Sequence, residues 1–443
     1  MPPSRRPQDP PEQPADAGIP GRPGALVPLR DGDRALLSCL IWIYLALIPT
    51  GTLLLRHGAL QSGQIMNFDR AVFWALNALT GTGFRLSPNG LGEFSLFGQV
   101  TVFALTLAGA MLILSAGGLL VSRYVGLAYS RAKILTAAFS LLLAGTLLGG
   151  GLLITPSNTV WSALFAAGTT ITNAGLSIDG PRDLFDARLF LIILPLAALG
   201  GLGLPVVIDL FEAFARGGRI NHYTRQVLTL TAAAWVAAFA VLFVCNLSLP
   251  LRENAASSWL YALNARSLGL DVTLDTNLTR QAWWVIGLLS LIGACPGGSA
   301  GGIKLTIFST IATSTRKLFH VEQTGRSPQS VTDASIVQTP QLFHVEQSAR
   351  QLATALIWAT GFLSIAFALF LLLLAAVPEL PADRIATIAA SAIGRAGLSH
   401  DELSLTGIGL YLLSLAMLAG HLLPVLFGMR IVYRGGEMRD EVR

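Results

Sequence analysis

The chain has 443 residues, 53% of them hydrophobic and only 12% charged, with a mean hydropathy of +0.61. That charged share is about half the soluble average, so a string of soluble domains is excluded for want of polar surface. The net charge of +5 gives no case for nucleic acid, because the basic residues sort by membrane side, and the three cysteines (Cys39, Cys245, Cys295) have neither metal spacing nor an obvious pairing.

Residues 1–33 are polar and proline-rich, cannot build a core, and read as a disordered cytoplasmic tail rather than a cleavable leader. Apolar runs of membrane-spanning length then recur at about 35–55, 95–122, 134–155, 187–211, 226–249, 281–311, 351–377 and 404–433. Between the members of each pair lies a shorter apolar segment, at about 71–83, 160–174, 257–268 and 383–396, too short to cross. Such segments read as re-entrant half helices, which survive at membrane depth only where protein or water surrounds them.

Each short segment ends on a glycine motif: TGTGF at Thr80–Phe84, TNAGL at Thr172–Leu176, RSLGL at Arg266–Leu270 and GRAGL at Gly394–Leu398. The aligned glycines, Gly83, Gly175, Gly269 and Gly397, define an internal repeat whose third interval is lengthened by a polar insert at 316–350. The expected fold is an all-α integral membrane protein of four span–pore-loop–span repeats around one pseudo-fourfold pore, with eight transmembrane helices and four re-entrant half helices. Repeat boundaries fall at 34–127, 128–215, 216–315 and 351–433, with a cytoplasmic tail at 434–443. Two crossings per unit keep all copies in one orientation, as a ring about the membrane normal requires.

Lys and Arg concentrate between repeats and at the C-terminus (Arg123, Arg131, Lys133, Arg216, Arg219, Arg225, Arg316, Lys317, Arg326, Arg350, Arg430, Arg434, Arg439, Arg443), which puts both termini in the cytoplasm. The half helices then enter from outside, where Asp179, Asp271, Asp275, Asp401 and Glu402 would form an acidic vestibule. Glycine suits a filter because inward carbonyls in an extended loop need dihedrals that a side chain obstructs. The negative pole of each half helix favours a cation at the centre. The candidate ion-binding residues are therefore Thr80, Gly81, Thr82 and Gly83; Thr172, Asn173, Ala174 and Gly175; Ser267, Leu268 and Gly269; and Gly394, Arg395, Ala396 and Gly397.

Three segments resemble the Trk/Ktr/HKT superfamily of potassium uptake proteins. TNAGL is similar to that family's NAGF-type filter, LGGLGLPVVIDL (Leu199–Leu210) to its IGGxGFPV stretch, and GACPGGSAGGIKLTIF (Gly293–Phe308) to its GGSPGSTAGGIKTTTF segment. The last segment must break the span 281–311, since small residues and a proline interrupt it at mid-membrane. The resemblance implies an intramembrane gate loop there, and the gate is assigned to Gly297, Gly298, Ser299, Ala300, Gly301, Gly302 and Lys304, together with His421 of the last span. Lys304 either snorkels to the cytoplasmic interface or holds the loop closed. A Walker A phosphate loop is excluded by the missing GK[ST] ending.

The chain departs from the family's pattern twice. Arg395 replaces a small residue in the fourth filter; its guanidinium either opposes cations electrostatically or, the favoured expectation, points behind the filter and pairs with Asp401 or Glu402. His421, in GHLLP (Gly420–Pro424), replaces an arginine that in the family lies near the gate loop. Arg266 reads as scaffolding behind the third filter. The resemblance further implies potassium as the transported ion at Gly83, Gly175, Gly269 and Gly397. It also implies a homodimer, a cytosolic nucleotide-binding regulatory subunit, and residence in a bacterial-type inner membrane. No cofactor and no enzymatic activity are expected, since no nucleophile–base set or metal box stands out. A sodium-permeable or nonselective transporter and a nonconducting sensor of the same fold remain alternatives. LFHVEQ occurs twice, at Leu318–Gln323 and Leu342–Gln347, and reads as a short duplication or a docking strip; His320 and His344 lack ligand spacing.

Overall fold

A computed structural model describes residues 29–87, 90–268, 270, 272–273, 278–324, 338–400, 403 and 405–440. Four copies of one supersecondary unit follow each other along the chain. The first is α1 (Asp31–Gly58), α2 (Phe68–Thr80) and α3 (Leu96–Val125). Acidic residues in the first turn of α1 and Arg56 and His57 in its last suit the helix dipole. Ser95 caps α3 by accepting the amide of Gly98, and its own hydroxyl donates to the Gly58 carbonyl at the end of α1.

The second unit is α4 (Arg131–Leu153), α5 (Val160–Ile171), then a π-helical turn (Leu189–Ile193) running into α6 (Leu194–Gly201) and α7 (Leu204–Arg216). Ser130 and Thr159 cap α4 and α5. The third comprises α8 (His222–Cys245), α9 (Leu251–Ser267), α10 (Arg280–Leu291) and α11 (Leu305–Thr324), and the fourth α12 (Gln338–Ala376), α13 (Ala382–Gly394) and α14 (Ile408–Asp440). Two-residue strands β1 (Arg182–Asp183) and β2 (Val272–Thr273) pair in parallel and join the outer loops of the second and third units.

Among the described residues six helices are long and apolar enough to cross a membrane, and the π-helical turn and α6 (Leu189–Gly201) with α7, bent by 110°, would make a seventh. The fold is all-α and multi-pass. The sequence reading of 187–211 as one continuous span is corrected here. Gly203 takes a left-handed backbone (φ 89°) and Pro205 begins the next helix, so the chain turns sharply between α6 and α7. The insert 316–350 is also more regular than its polarity suggested: α11 continues to Thr324 and α12 begins at Gln338, so the two LFHVEQ copies lie on helices.

The half helices α2, α5, α9 and α13 form the buried centre. Residues 73–80 and 165–174 are almost wholly removed from solvent, while the spans expose large apolar side chains such as Trp42, Leu148, Val236 and Ile357 to the surrounding membrane. One packing contact recurs. Four residues before the filter glycine, the carbonyls of Leu79, Ile171 and Ile393 press on Gly109, Gly200 and Gly420 of the following helix. A Cβ at those glycines would lie only 1.8, 1.9 and 2.0 Å from the carbonyl oxygens. The repeat read from the filter motifs therefore extends, in the first, second and fourth units, to how the second span packs on the half helix.

Candidate functional site: a fourfold pore and the loop beneath it

Each half helix ends at the molecular centre and passes into its filter segment. In the first unit Gly81 caps α2 in the left-handed region, and the chain then climbs through Thr82 to Gly83. The Asn77 side chain, one and a half turns back in α2, accepts the amides of Gly83 (2.9 Å) and Phe84 (3.0 Å) and donates to the Phe84 carbonyl (2.8 Å). Drawing the amides toward the helix leaves the filter carbonyls free for the opposite side.

A side-chain hydrogen bond to the residue after the glycine recurs in every unit, although the peptide group it holds differs. The Thr169 hydroxyl donates to the Leu176 carbonyl (2.7 Å), Asn264 donates to the Leu270 carbonyl (2.7 Å) and accepts its amide (2.9 Å), and the Ser391 hydroxyl accepts the Leu398 amide (2.6 Å). These four polar residues were missed in the sequence. The signal available was one hydrogen-bonding side chain five or six positions before each glycine, inside an otherwise apolar half helix.

The candidate filter residues divide into three layers. Thr80 and Gly394 close their half helices, and Thr172 caps the second. Two positions before the glycine, Gly81, Asn173 and Arg395 all take left-handed backbone (φ 61°, 59° and 59°). The third unit differs, since α9 continues through Ser267 and Leu268 caps it in right-handed geometry. Gly83, Gly175 and Gly397 follow with φ of 94°, 59° and 67°, a region that side chains disfavour. A Cβ on Gly397 would sit 2.1 Å from the Thr82 carbonyl oxygen, so neighbouring filter segments touch across the ring. Gly269, Asp271, Asp275, Asp401 and Glu402 lie outside the described residues. Of the expected vestibule acids, Asp179 is described, and its carboxylate accepts a short hydrogen bond from Ser162.

Residues 292–304 interrupt α10–α11 as anticipated and form a re-entrant loop, called the hairpin below, whose two ends meet in a parallel bridge, Ile292 beside Ile303. Its base is closed by Gly293 N to Ile303 O (3.0 Å) and Ile303 N to Leu291 O (2.8 Å), and Arg266 donates to the Gly293 carbonyl (3.1 Å). The scaffolding expected of Arg266 is thus directed at this loop. The hairpin tip reaches the α6–α7 bend and satisfies backbone groups stranded there. Ser299 donates both amide (3.2 Å) and hydroxyl (3.0 Å) to the Gly200 carbonyl, Cys295 N donates to Gly201 O (3.3 Å), and Leu204 N donates to Gly297 O (3.0 Å). Gly297 and Gly302 turn the chain with positive φ. Gly298 and Gly301 approach other backbone so closely that a Cβ would fall 2.4 Å from Gly201 O and 2.3 Å from Gly394 O. Ala300 is buried, and its carbonyl accepts a hydrogen bond from the Lys304 ammonium, so Lys304 clasps the loop rather than snorkelling outward.

Two sequence expectations are revised. Arg395 points toward the hairpin: its Nη2 donates to the Ser299 carbonyl at 2.6 Å. His421, grouped with the gate, instead places Nδ1 3.2 Å from the Thr80 carbonyl and stacks on Tyr44 with centroids 4.9 Å apart. Among the described residues there is no group of three or more His, Cys, Asp or Glu placed to hold a metal ion.

No protein-family model matches the chain. Over 280 residues it is 27% identical to the Ktr system potassium uptake protein B of Bacillus subtilis, a match covering 55% of this chain and 62% of that protein. Over 169 residues it is 24% identical to the potassium/sodium uptake protein NtpJ of Enterococcus hirae, covering 36% of this chain and 37% of that one. The matched region thus spans less than two thirds of either relative. The crystal structure of the potassium transporter TrkH from Vibrio parahaemolyticus superimposes with a TM-score of 0.64 over 90% of this chain and 84% of that one, at 17% sequence identity, which establishes a shared fold.

Proposed function

We propose that this chain, a membrane subunit of the Trk/Ktr potassium-transporter type by sequence likeness and fold, translocates potassium through the ring of glycine segments. The observation that carries the reading is the fourfold hydrogen bonding by Asn77, Thr169, Asn264 and Ser391, which turns peptide groups so that carbonyl oxygens can replace an ion's hydration shell. Four half-helix ends add negative potential at the same place. The hairpin 292–304 lies across the base of that ring and is the gate in this reading. The protein acts in the cytoplasmic membrane with both termini inside, as a homodimer beside a cytosolic nucleotide-binding regulatory subunit, and is not an enzyme.

The test is rubidium uptake into proteoliposomes. Potassium-competed uptake that collapses in Gly175→Ser is the expected result; uptake untouched by that substitution would remove the filter from the pathway. The name of the Enterococcus relative, a potassium/sodium uptake protein, favours a second reading in which sodium also passes. Sodium that competes with rubidium at comparable concentration would support it.

A further inference from the structure

Consecutive units are neighbours around the ring. Gly397 abuts Thr82 and Gly83, Gly81 faces the Thr172 carbonyl, the strands β1 and β2 join units two and three, and Arg280 pairs with Asp383 at 2.8 Å between units three and four. Units two and four therefore stand diagonally across the pore. Their equivalent residues, Asn173 and Arg395, both reach Ser299: the Asn173 amide donates to its hydroxyl (2.7 Å) and the Arg395 guanidinium to its carbonyl (2.6 Å). A residue grasped from two diagonal units lies between them, under the ring. The guanidinium is also beside the first unit, with Nη2 3.7 Å from a Cβ built on Gly81.

We infer that Arg395 is a tethered occupant of the ion pathway: its guanidinium fills the cation position at the base of the filter and rests on the hairpin, so that no ion leaves the filter inward until it withdraws. This rests on the transport reading above and adds to it an occupant carried by the chain itself. The position is built for a cation. Arg395 itself caps the carboxyl end of α13, the Ser299 carbonyl is spent on it, and Arg395 is only 3% exposed. Nε of Arg395 has no hydrogen-bond partner, so one polar edge of the group is held in the pathway without a protein ligand. The backbone is strained for this placement, since Arg395 holds φ at 59° where the equivalent residues are glycine and asparagine, the two types most at ease there.

Those equivalents supply the test. Arg395→Gly and Arg395→Asn install the residues of units one and two, which suit the backbone, while Arg395→Lys retains the charge. Rubidium uptake into proteoliposomes is measured for each, alone and combined with Gly175→Ser, with thermal midpoints in detergent to certify folding. Uptake should rise by on the order of tenfold or more in the Gly and Asn variants, since even a screened like charge at contact distance slows passage that much. It should stay near wild type in Arg395→Lys, and the gain should vanish with Gly175→Ser. Unchanged or lower uptake in folded Gly and Asn variants overturns the inference. So does an equal rise in Arg395→Lys, which would make the guanidinium a clasp on the loop rather than an occupant. If no variant conducts, this inference falls. The transport reading is then judged separately, by whether rubidium raises the thermal midpoint of the wild type and Gly175→Ser abolishes that rise.

Discussion

At the scale of single residues, Asn77 and Asn264 have the most leverage for their size. Each bonds both the amide and the carbonyl of the residue following its filter glycine, and each is fully buried. Replacing either by alanine strands those groups, at a cost of about 1–3 kcal/mol for each one left unpaired. Asn77→Ala should lower the thermal midpoint and also weaken discrimination between rubidium and sodium, because freed peptide groups can rotate away from the ion. Uptake competition run beside a thermal melt checks both. A fall in stability with selectivity intact would make Asn77 merely structural. The sequence showed the repeated glycine motifs but hid these partners, because one polar side chain in an apolar run has many ordinary explanations. Arg395 was hidden differently. Its identity was plain, but its direction follows from a left-handed backbone that becomes visible only when Gly81, Asn173 and Arg395 are set in register.

At the scale of elements, the close approach of helix to half helix is the recurring joint. Gly109, Gly200 and Gly420 admit a carbonyl where any side chain would collide with main chain, which cannot yield as a flexible side chain does. Gly109→Ala should force α2 and α3 apart and cost about 1–3 kcal/mol or more by overpacking. Loss of monodisperse protein in size-exclusion chromatography, or a lowered thermal midpoint, checks this. An unperturbed alanine variant would mean that the helices slide freely. Element existence was legible from apolar run length, and the break at 292–304 from its small residues and proline. The second break was not, because Leu199–Leu210 is as apolar as any span and its hydropathy masks the Gly203–Pro205 turn. The helical ends of the insert 316–350 were obscured for the opposite reason, since polar residues continue a helix beyond the membrane at little cost.

At the scale of the whole molecule, the units are fastened at both faces. On one, Asp33 at the start of α1, 1% exposed, accepts the Arg123 guanidinium at 3.0 Å at the end of α3 and lies 3.7 Å from Arg131 at the start of α4. Breaking the buried Asp33–Arg123 pair by removing one partner costs about 3–5 kcal/mol. Asp33→Asn should therefore lower the thermal midpoint clearly, while Arg131→Gln, on a half-exposed partner, should barely move it. Equal effects would locate the fastening elsewhere.

The knitting of the hairpin 292–304 into the α6–α7 bend has one more consequence. The carbonyls of Gly200 and Gly201 are satisfied by Ser299 and Cys295, which belong to the part that must move if the gate opens. Once the tip withdraws, those oxygens face a cavity with no protein donor, and water has to take the vacated places. If 292–304 is the gate, opening is a hydration event, in which water takes the places at the bend that Ser299 and Cys295 hold here. Osmolytes too large to enter should accordingly favour the shut state, turning the solvent's own activity into a control on ion flow.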